Sequence, residues 1–215
     1  MKIRELTESQ ATSQQPLIPD NVTSPQDQAQ YCWNIIKDNC SQSIRAMSAA
    51  GRLLYRGTTS TYPAFVDRSR TDRHTLTLPM EDQIVIDAFL RRAGFVAVRG
   101  NSIFATSDKK TAARYGDLFL IFPADSANIT WNNKVNDWAV DAFEHGEILD
   151  WTDEMPEIED PKRAKVMAKY YGFVAGDLAG ALTSGHEVYI SGAYYAVNPK
   201  AFGGSFVNML ARALK

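Results

Sequence analysis

Glu187 stands immediately before a short run of β-branched and aromatic residues, 188–190. Glycines flank this run at positions 185 and 192, and the pattern predicts a strand that presents the Glu187 carboxylate at the edge of a cleft. An ionised carboxylate that is already in place can stabilise positive charge that develops in a transition state. Glu187 is therefore the candidate catalytic residue, set against the ordinary alternative of a solvated glutamate at a strand start.

An arginine ends an earlier predicted strand. Residues 52–57 form a short run that closes at Gly57, and Arg56 lies at its carboxyl end. There the planar guanidinium could leave the sheet and form paired hydrogen bonds with a ligand phosphate. The polar segment that follows, 58–74, predicts either a solvated loop or a loop that contacts a phosphate or a target.

Small hydroxyl residues end another predicted strand. Within residues 101–108 the strand delivers Phe104 to the core, and Thr106 and Ser107 follow it. Ser107 or the next residue then caps a helix that extends to Tyr115. Short hydroxyl side chains therefore lie between a predicted strand and a predicted helix.

The composition fits one soluble globular domain. The chain has 215 residues, of which 45% are hydrophobic and 22% charged, which is enough to bury a substantial core. A formal net charge of -2 excludes a surface that is basic throughout, so any contact with nucleic acid must be local. The arginines that could form such a local patch are Arg68, Arg70, Arg73, Arg91, Arg92 and Arg99.

The sequence predicts a flexible polar leader over residues 1–24 and a single domain over residues 25–215. The leader is rich in Gln, Ser and Thr and has almost no periodic apolar pattern, so it cannot bury enough surface to offset the entropy of ordering. A hydroxyl residue followed by Pro25 signals the start of a helix. Apolar residues at helical spacing continue this helix to Gly51.

Two strand pairings and three amphipathic helices complete the predicted fold. The apolar run 118–123 predicts a central buried strand with 128–131 as its partner. A tight turn at Gly192 predicts that 188–190 pairs with the next strand, 193–197. The apolar stripes predicted to face the core are Met80, Ile84, Val85, Ala88 and Phe89 in one helix, Val166, Met167 and Tyr170 in another, and Phe202, Phe206, Met209, Leu210, Ala213 and Leu214 in the last.

The two cysteines, Cys32 and Cys40, are predicted to be structural thiols in a reducing compartment. Residues eight apart in one helix lie about 12 Å from each other, beyond the reach of a disulfide. His145 with Glu144 and Glu147 is more typical of an exposed turn than of a metal site, so no metal is predicted. The chain contains no apolar run of membrane-spanning length, and no membrane partner is predicted.

The order of these features resembles that of a known enzyme family. An arginine at the end of one strand, hydroxyl residues at the end of a second and a glutamate at the start of a third resemble the Arg, Ser-Thr-Ser, Glu arrangement of mono-ADP-ribosyltransferases of the cholera-toxin-like branch. The resemblance covers most of residues 52–197, and the layout of the chain also resembles small proteins of tailed bacteriophages. The matching segments are Leu54-Tyr55-Arg56-Gly57, Ile103-Phe104-Ala105-Thr106-Ser107, the helix with Ala112, Ala113 and Tyr115-Gly116, and Glu187-Val188-Tyr189-Ile190.

The resemblance implies an α+β fold in which a split pair of antiparallel sheets with flanking helices grips NAD. NAD is then the substrate, its ADP-ribose is transferred to a host or phage macromolecule, and nicotinamide is released. Glu187 is implied to hydrogen-bond the nicotinamide ribose and to stabilise an oxocarbenium-like transition state. The residues implied to bind NAD are Arg56, Gly57, Phe104, Thr106, Ser107 and Tyr115.

Two positions depart from the family pattern. Ala105 stands where the family usually has its first serine, and Gly185 stands where relatives that modify arginine carry Glu and other branches carry Gln. Without a side chain at position 185, nothing there can recognise or activate an acceptor. The acceptor is therefore left open, and plain hydrolysis of NAD is an alternative to transfer.

A non-catalytic role is the second hypothesis. The chain could retain the fold as a binding module or a virion-associated protein that docks on a phage structural partner through its leader or its last helix. A nucleic-acid-binding role for the arginines is a third hypothesis, which the acidic balance of the chain disfavours, so a protein acceptor is favoured over nucleic acid. The phage resemblance implies action in the host bacterial cytoplasm or packaging in the virion.

Overall fold

Two antiparallel β-sheets form the centre of the molecule. The computed structural model describes residues 14–71, 80–135 and 159–214. The strands are β1 (Gln15–Pro16), β2 (Tyr55–Thr58), β3 (Ala64–Arg68), β4 (Ile103–Ala105), β5 (Asp117–Pro123), β6 (Asn128–Asn132), β7 (Phe173–Ala175), β8 (Val188–Ser191) and β9 (Ala193–Val197). One sheet has five strands in the order β1-β3-β9-β5-β2, and the other has four in the order β4-β8-β6-β7. The predicted pair of antiparallel sheets with flanking helices is confirmed at this level.

The helices lie around these sheets, and the first of them is interrupted. The described helices are α1 (Pro25–Asn39), α2 (Ser41–Ala50), α3 (Met80–Arg92), α4 (Lys109–Ala112), α5 (Pro161–Tyr170), α6 (Leu178–Ser184) and α7 (Ser205–Ala213). A single helix to Gly51 was the prediction, but Cys40 leaves helical geometry with φ -131°. The Asp125 carboxylate then accepts hydrogen bonds from the Gln42 N–H and the Ser41 hydroxyl, both at 2.8 Å, and so caps the start of α2. This cap comes from a residue distant in sequence, which a helical period cannot reveal.

Both predicted strand pairings were wrong, because the chain changes sheet at each of these places. β8 pairs with β4 and β6, whereas β9 pairs with β3 and β5. Only Gly192, with φ +117°, separates the two strands, which is one residue fewer than the usual two-residue hairpin loop contains. Its N–H donates to the Ser69 hydroxyl at 2.9 Å. In the same way β5 belongs to the five-stranded sheet and β6 to the other.

The segment expected to be a polar loop contains a strand. Ala64 and Phe65 of β3 are buried, and β3 pairs along its whole length with β9. Gln15 and Pro16, which the sequence assigned to the leader, pair with β3 in turn, and Leu17 is buried beside them. Ordered packing therefore begins before residue 25, and residues 1–13 lie outside the described part of the chain.

Two apolar clusters fill the interior. The larger one combines residues of both sheets with residues of α1, α2, α6 and α7. The smaller one joins α3 and α5 to Val98 and Phe173. In β8, Val188 and Ile190 belong to the larger cluster, and because side chains alternate along a strand, Tyr189 points to the opposite face of the four-stranded sheet.

Two of the three predicted helix stripes were wrong in detail. In α3, Met80 and Ile84 are more than half exposed, while Gln83 and Asp87 are buried. In α5 only two alanines are buried, and Val166 and Tyr170 are each 67% exposed. The Asp87 carboxylate faces inwards because it accepts a hydrogen bond from the Gly100 N–H at 2.8 Å. The stripe of α7 is confirmed at Phe206 and Leu210, which are buried, but not at Ala213, which is exposed.

The structure has no membrane-spanning candidate among its described helices, since none is both long and apolar enough. The described residues also contain no group of His, Cys, Asp and Glu side chains that could hold a metal ion. The predicted turn with Glu144, His145 and Glu147 lies outside the described residues.

The cysteines offer a test of the packing of α1. Both thiols are free and buried, as predicted, and burial raises the pKa of Cys32 to about 12 and also raises that of Cys40. Because thiols with raised pKa values stay protonated at pH 8, we expect a disulfide reagent to modify native protein far more slowly than a free thiol. In denaturant both cysteines should react at once. Rapid modification of either cysteine in native protein would contradict the packing.

Candidate functional site

The two sheets meet edge to edge beside Arg56. Tyr55 in β2 and Thr106 after β4 exchange two backbone hydrogen bonds, of 2.8 and 2.9 Å, which bridge the sheets. At this bridge the half-buried Arg56 side chain crosses from one sheet to the other, where its Nη1 donates to the carbonyl oxygen of Phe104 at 3.0 Å. The predicted phosphate-binding arginine therefore lies at the junction of the sheets. The prediction that it ends a strand was wrong, because Arg56 is the second residue of β2, which continues through Gly57 to Thr58.

Gly57, the next residue, is explained by close packing. A Cβ atom at this position would lie 2.1 Å from the backbone oxygen of Ala112 and 3.0 Å from the backbone nitrogen of Gly116. The turn formed by α4 and residues 113–115 therefore rests directly on β2. Tyr115 lies in that turn with 62% of its surface exposed, and its backbone packs on Gly57.

Glu187 precedes β8 as predicted, and its carboxylate pairs with a buried arginine. Oε2 of Glu187 lies 3.1 Å from Nη1 of Arg99. The Arg99 side chain is 2% exposed and the Glu187 side chain 21% exposed. The cation therefore lies in the interior and the carboxylate lies towards the surface.

Two aromatic rings enclose the Arg99 guanidinium. Its central carbon lies 4.6 Å from the centroid of the Phe104 ring and 5.5 Å from that of the Tyr189 ring, distances at which a cation is attracted to a ring face. The same Nη1 atom also donates to the Tyr189 hydroxyl at 3.0 Å. Phe104 and Tyr189 are directly paired residues of β4 and β8, with ring centroids 5.2 Å apart.

Phe104 thus links the two charged residues predicted from the sequence. Its carbonyl oxygen accepts from Arg56, and its ring contacts Arg99, which pairs with Glu187. Glu187 lies two residues before Tyr189, so these side chains share one face of the four-stranded sheet. Arg56, Phe104 and Glu187 therefore belong to one connected set of contacts.

The hydroxyls of Thr106 and Ser107 serve the fold in this structure. Thr106 donates to the carbonyl oxygen of Gly185 at 2.7 Å, and Ser107 donates to that of Leu182 at 2.6 Å. Both bonds hold the carboxyl end of α6 against the end of β4. They bring the predicted hydroxyl residues to the loop that leads into Glu187.

Gly185 itself is required by the backbone. It ends α6 in the left-handed conformation, with φ +81°, which residues other than glycine adopt at a cost. A Cβ atom built there would lie 3.8 Å from Oγ of Ser107 and 3.9 Å from Nη1 of Arg52. The absence of a side chain at position 185 therefore has a structural cause.

Arg99 is the residue whose role the sequence missed. It was placed in the set of arginines for a local nucleic-acid patch, and its burial shows this to be wrong for Arg99, since a buried guanidinium cannot reach a nucleic acid. Arg73 of the same set lies outside the described residues. Nothing in the short segment around position 99 signals a partner that is 88 residues away.

Comparison with protein-family models, with curated proteins and with solved structures finds no match to this chain. The class of protein that the fold defines is a mixed α/β chain with two antiparallel sheets. What the site does must therefore be argued from its residues.

Removal of the Ser107 hydroxyl tests its structural role. Ser107→Ala should lower the free energy of unfolding by about 1 kcal/mol, because the Leu182 carbonyl loses its hydrogen bond. Ser48→Ala is the matched control, since the Ser48 hydroxyl lies on an exposed helix face with a contact of only 3.4 Å, and its effect should stay within about 0.5 kcal/mol. Urea unfolding measures both. Equal stability of the two variants would contradict a structural role for Ser107.

Proposed function

We propose that this protein uses NAD as a substrate and transfers its ADP-ribose to a macromolecule, with release of nicotinamide. The observation that carries the proposal is the set of contacts that links Arg56 to Glu187 through Phe104 and Arg99, across the junction of the two sheets. A guanidinium and a carboxylate linked in this way suit a ligand with phosphates at one end and a departing cationic group at the other.

The functional groups of Arg56 and Glu187 are of the types that this chemistry needs. A guanidinium carries five N–H donors in a planar fork, so contact with one carbonyl does not by itself prevent Arg56 from binding a phosphate. Glu187 is partly exposed beside a fixed cation, which favours the ionised carboxylate. Both groups would then be in their charged forms before NAD binds.

The reaction breaks the bond between C1′ of the ribose and the pyridinium nitrogen. The electron pair of this bond leaves with nicotinamide, which becomes neutral, and positive charge develops on the ribose. The Glu187 carboxylate stabilises that charge. A nucleophile of the acceptor then bonds to C1′ and loses its proton to solvent, or water takes its place and NAD is hydrolysed.

The acceptor is proposed to be a protein of the host or of a phage, and the site of action the host bacterial cytoplasm or the virion. These two proposals are supported only by the resemblance to phage proteins and by the acidic balance of the chain, with a net charge of -2.

A non-catalytic binding module is the second candidate, and two observations favour it. The hydroxyls of Thr106 and Ser107 are engaged within the fold, and the Glu187 charge is balanced by Arg99. In this case the cluster around Phe104 stabilises the junction of the sheets. Binding and turnover of NAD separate the two candidates.

Turnover tests the role of Glu187. Purified protein incubated with NAD labelled in the adenine ring and with bacterial lysate should release nicotinamide and label a macromolecule. Glu187→Gln, which keeps the shape and removes the charge, should lower the rate by about 10²- to 10³-fold. Glu81→Gln, an exposed change at the start of α3, should leave it unchanged. If native protein that binds NAD gives neither nicotinamide nor label, the proposed transfer is wrong.

Thermal shift tests the role of Arg56. NAD at a hundred times its dissociation constant should stabilise the native protein by about 2.7 kcal/mol. Arg56→Gln should weaken NAD binding by about 10- to 100-fold, because it removes charged hydrogen bonds worth about 1.5–3 kcal/mol. Arg163→Gln, in an exposed position of α5, is the control and should bind as the native protein does. No shift at millimolar NAD would favour the binding module.

A further inference from the structure

Arg99 is a buried cation whose partner faces outwards. Its side chain is 2% exposed, and that of Glu187 is 21% exposed. Burying a charge is costly unless it is paired and hydrogen-bonded. If the ion pair served only to neutralise a buried arginine, both side chains could be buried. Here the arginine contacts the carboxylate from the interior, and part of the carboxylate remains at the surface.

The guanidinium is fixed from several directions. The rings of Phe104 and Tyr189 lie beside it, and the Tyr189 hydroxyl accepts from the same Nη1 that binds Glu187. These contacts restrict the position of the cation before any ligand arrives, which is the condition for a preorganised electrostatic group.

The backbone that carries Arg99 is also held. Residues Arg99–Asn101 form a short 3-10 turn. The buried Asp87 carboxylate accepts from the Gly100 N–H at 2.8 Å, and the Asn101 side chain binds the Val98 N–H and the Val96 carbonyl, both at 2.9 Å. The turn is thereby anchored to α3 and to the segment before it.

We infer that Arg99 is a positioning residue for Glu187, which holds its carboxylate ionised and aimed at the surface where the ribose of NAD would lie. This inference rests on the proposed function. Arg99 touches neither NAD nor the acceptor, and it acts through the carboxylate.

Three variants test the role of the charge. Arg99→Gln keeps an N–H donor and removes the charge, Arg99→Lys keeps the charge, and Arg163→Gln is the exposed control. We expect Arg99→Gln to lower the rate of nicotinamide release by about 100-fold, since misplacement of a reacting group by about 1 Å has an effect of this size. The dissociation constant of NAD should change less than about threefold. Arg99→Lys should recover part of the rate.

A second readout does not require turnover. With glutamate labelled by carbon-13 at the side-chain carboxyl, the Glu187 signal is identified by its loss in Glu187→Gln. Its titration midpoint should move to higher pH in Arg99→Gln and stay near the native value in Arg99→Lys, because a nearby cation favours the ionised form. Among the described residues, two other titratable groups lie at this contact: Tyr189, whose hydroxyl accepts from Arg99, and Asp87, which holds the N–H of Gly100. Asp87→Asn shows whether that carboxyl affects the midpoint.

The outcomes are distinct. If the unmutated protein shows no turnover but the titration midpoint of Glu187 still depends on the charge at position 99, the proposed function is wrong. The positioning role of Arg99 would then stand. A Glu187 midpoint that is unchanged in Arg99→Gln would overturn the inference, whatever the activity. So would an equal loss of rate in Arg99→Gln and Arg99→Lys with native unfolding temperatures. If Arg99→Gln does not fold, the unmutated protein is compared with Arg99→Lys and Tyr189→Phe instead. Loss of all turnover in Arg99→Lys at native stability would then contradict the positioning role of Arg99.

Discussion

The pairing of Tyr55 with Thr106 is the constraint on which the site depends. It joins the edge of β2 in one sheet to the end of β4 in the other through two backbone hydrogen bonds. Arg56 lies next to this pairing and reaches Phe104 only because the two edges are held together. The chain passes between the same two sheets at Gly192. The bridge is therefore what keeps Arg56, in one sheet, close to the strand of the other sheet whose Phe104 contacts the partner of Glu187.

The ion pair between Arg99 and Glu187 has two opposing consequences. A fixed cation keeps the carboxylate ionised and oriented, as an electrostatic catalyst requires. The same cation reduces the potential that the carboxylate can offer to a developing positive charge. The unequal burial of the two side chains decides between these effects. The influence of the cation is greatest on the interior side, and the exposed side of the carboxylate is the one that the proposed substrate would meet.

Much of the secondary structure could be predicted from the sequence, whereas the pairing of the strands within the two sheets could not. Ser24 and Pro25 mark the start of α1 as expected, and the apolar run of β5 is buried as expected. Local patterns report whether a segment is extended or helical, but the partner of a strand depends on chain crossings such as that at Gly192. The break at Cys40 depends on Asp125 in the same way.

The candidate site shows the same division. Glu187 precedes β8, as the glycines on either side predicted. Arg56 lies inside β2, which continues to Thr58 instead of ending at Gly57, so the sequence could indicate the residue but not its place in the strand. The burial of Arg99 depends on two rings and a carboxylate from distant segments, and an arginine in isolation is expected at the surface. A buried charge is predictable only when its partner is known.

Gly185 bears most directly on whether the site is catalytic. In the family that the sequence resembles, this position carries a side chain, and its absence could indicate lost activity. The backbone offers another explanation, because the end of α6 is left-handed at Gly185 and Thr106 holds its carbonyl oxygen. The left-handed turn at the end of α6 therefore favours glycine at position 185, and this turn leads into the segment in which Glu187 contacts Arg99. It ceases to be evidence against activity. In the proposed transfer, recognition of an acceptor would have to come from neighbouring side chains, and the two nearest to the place where a Cβ would stand are Oγ of Ser107 at 3.8 Å and Nη1 of the exposed Arg52 at 3.9 Å.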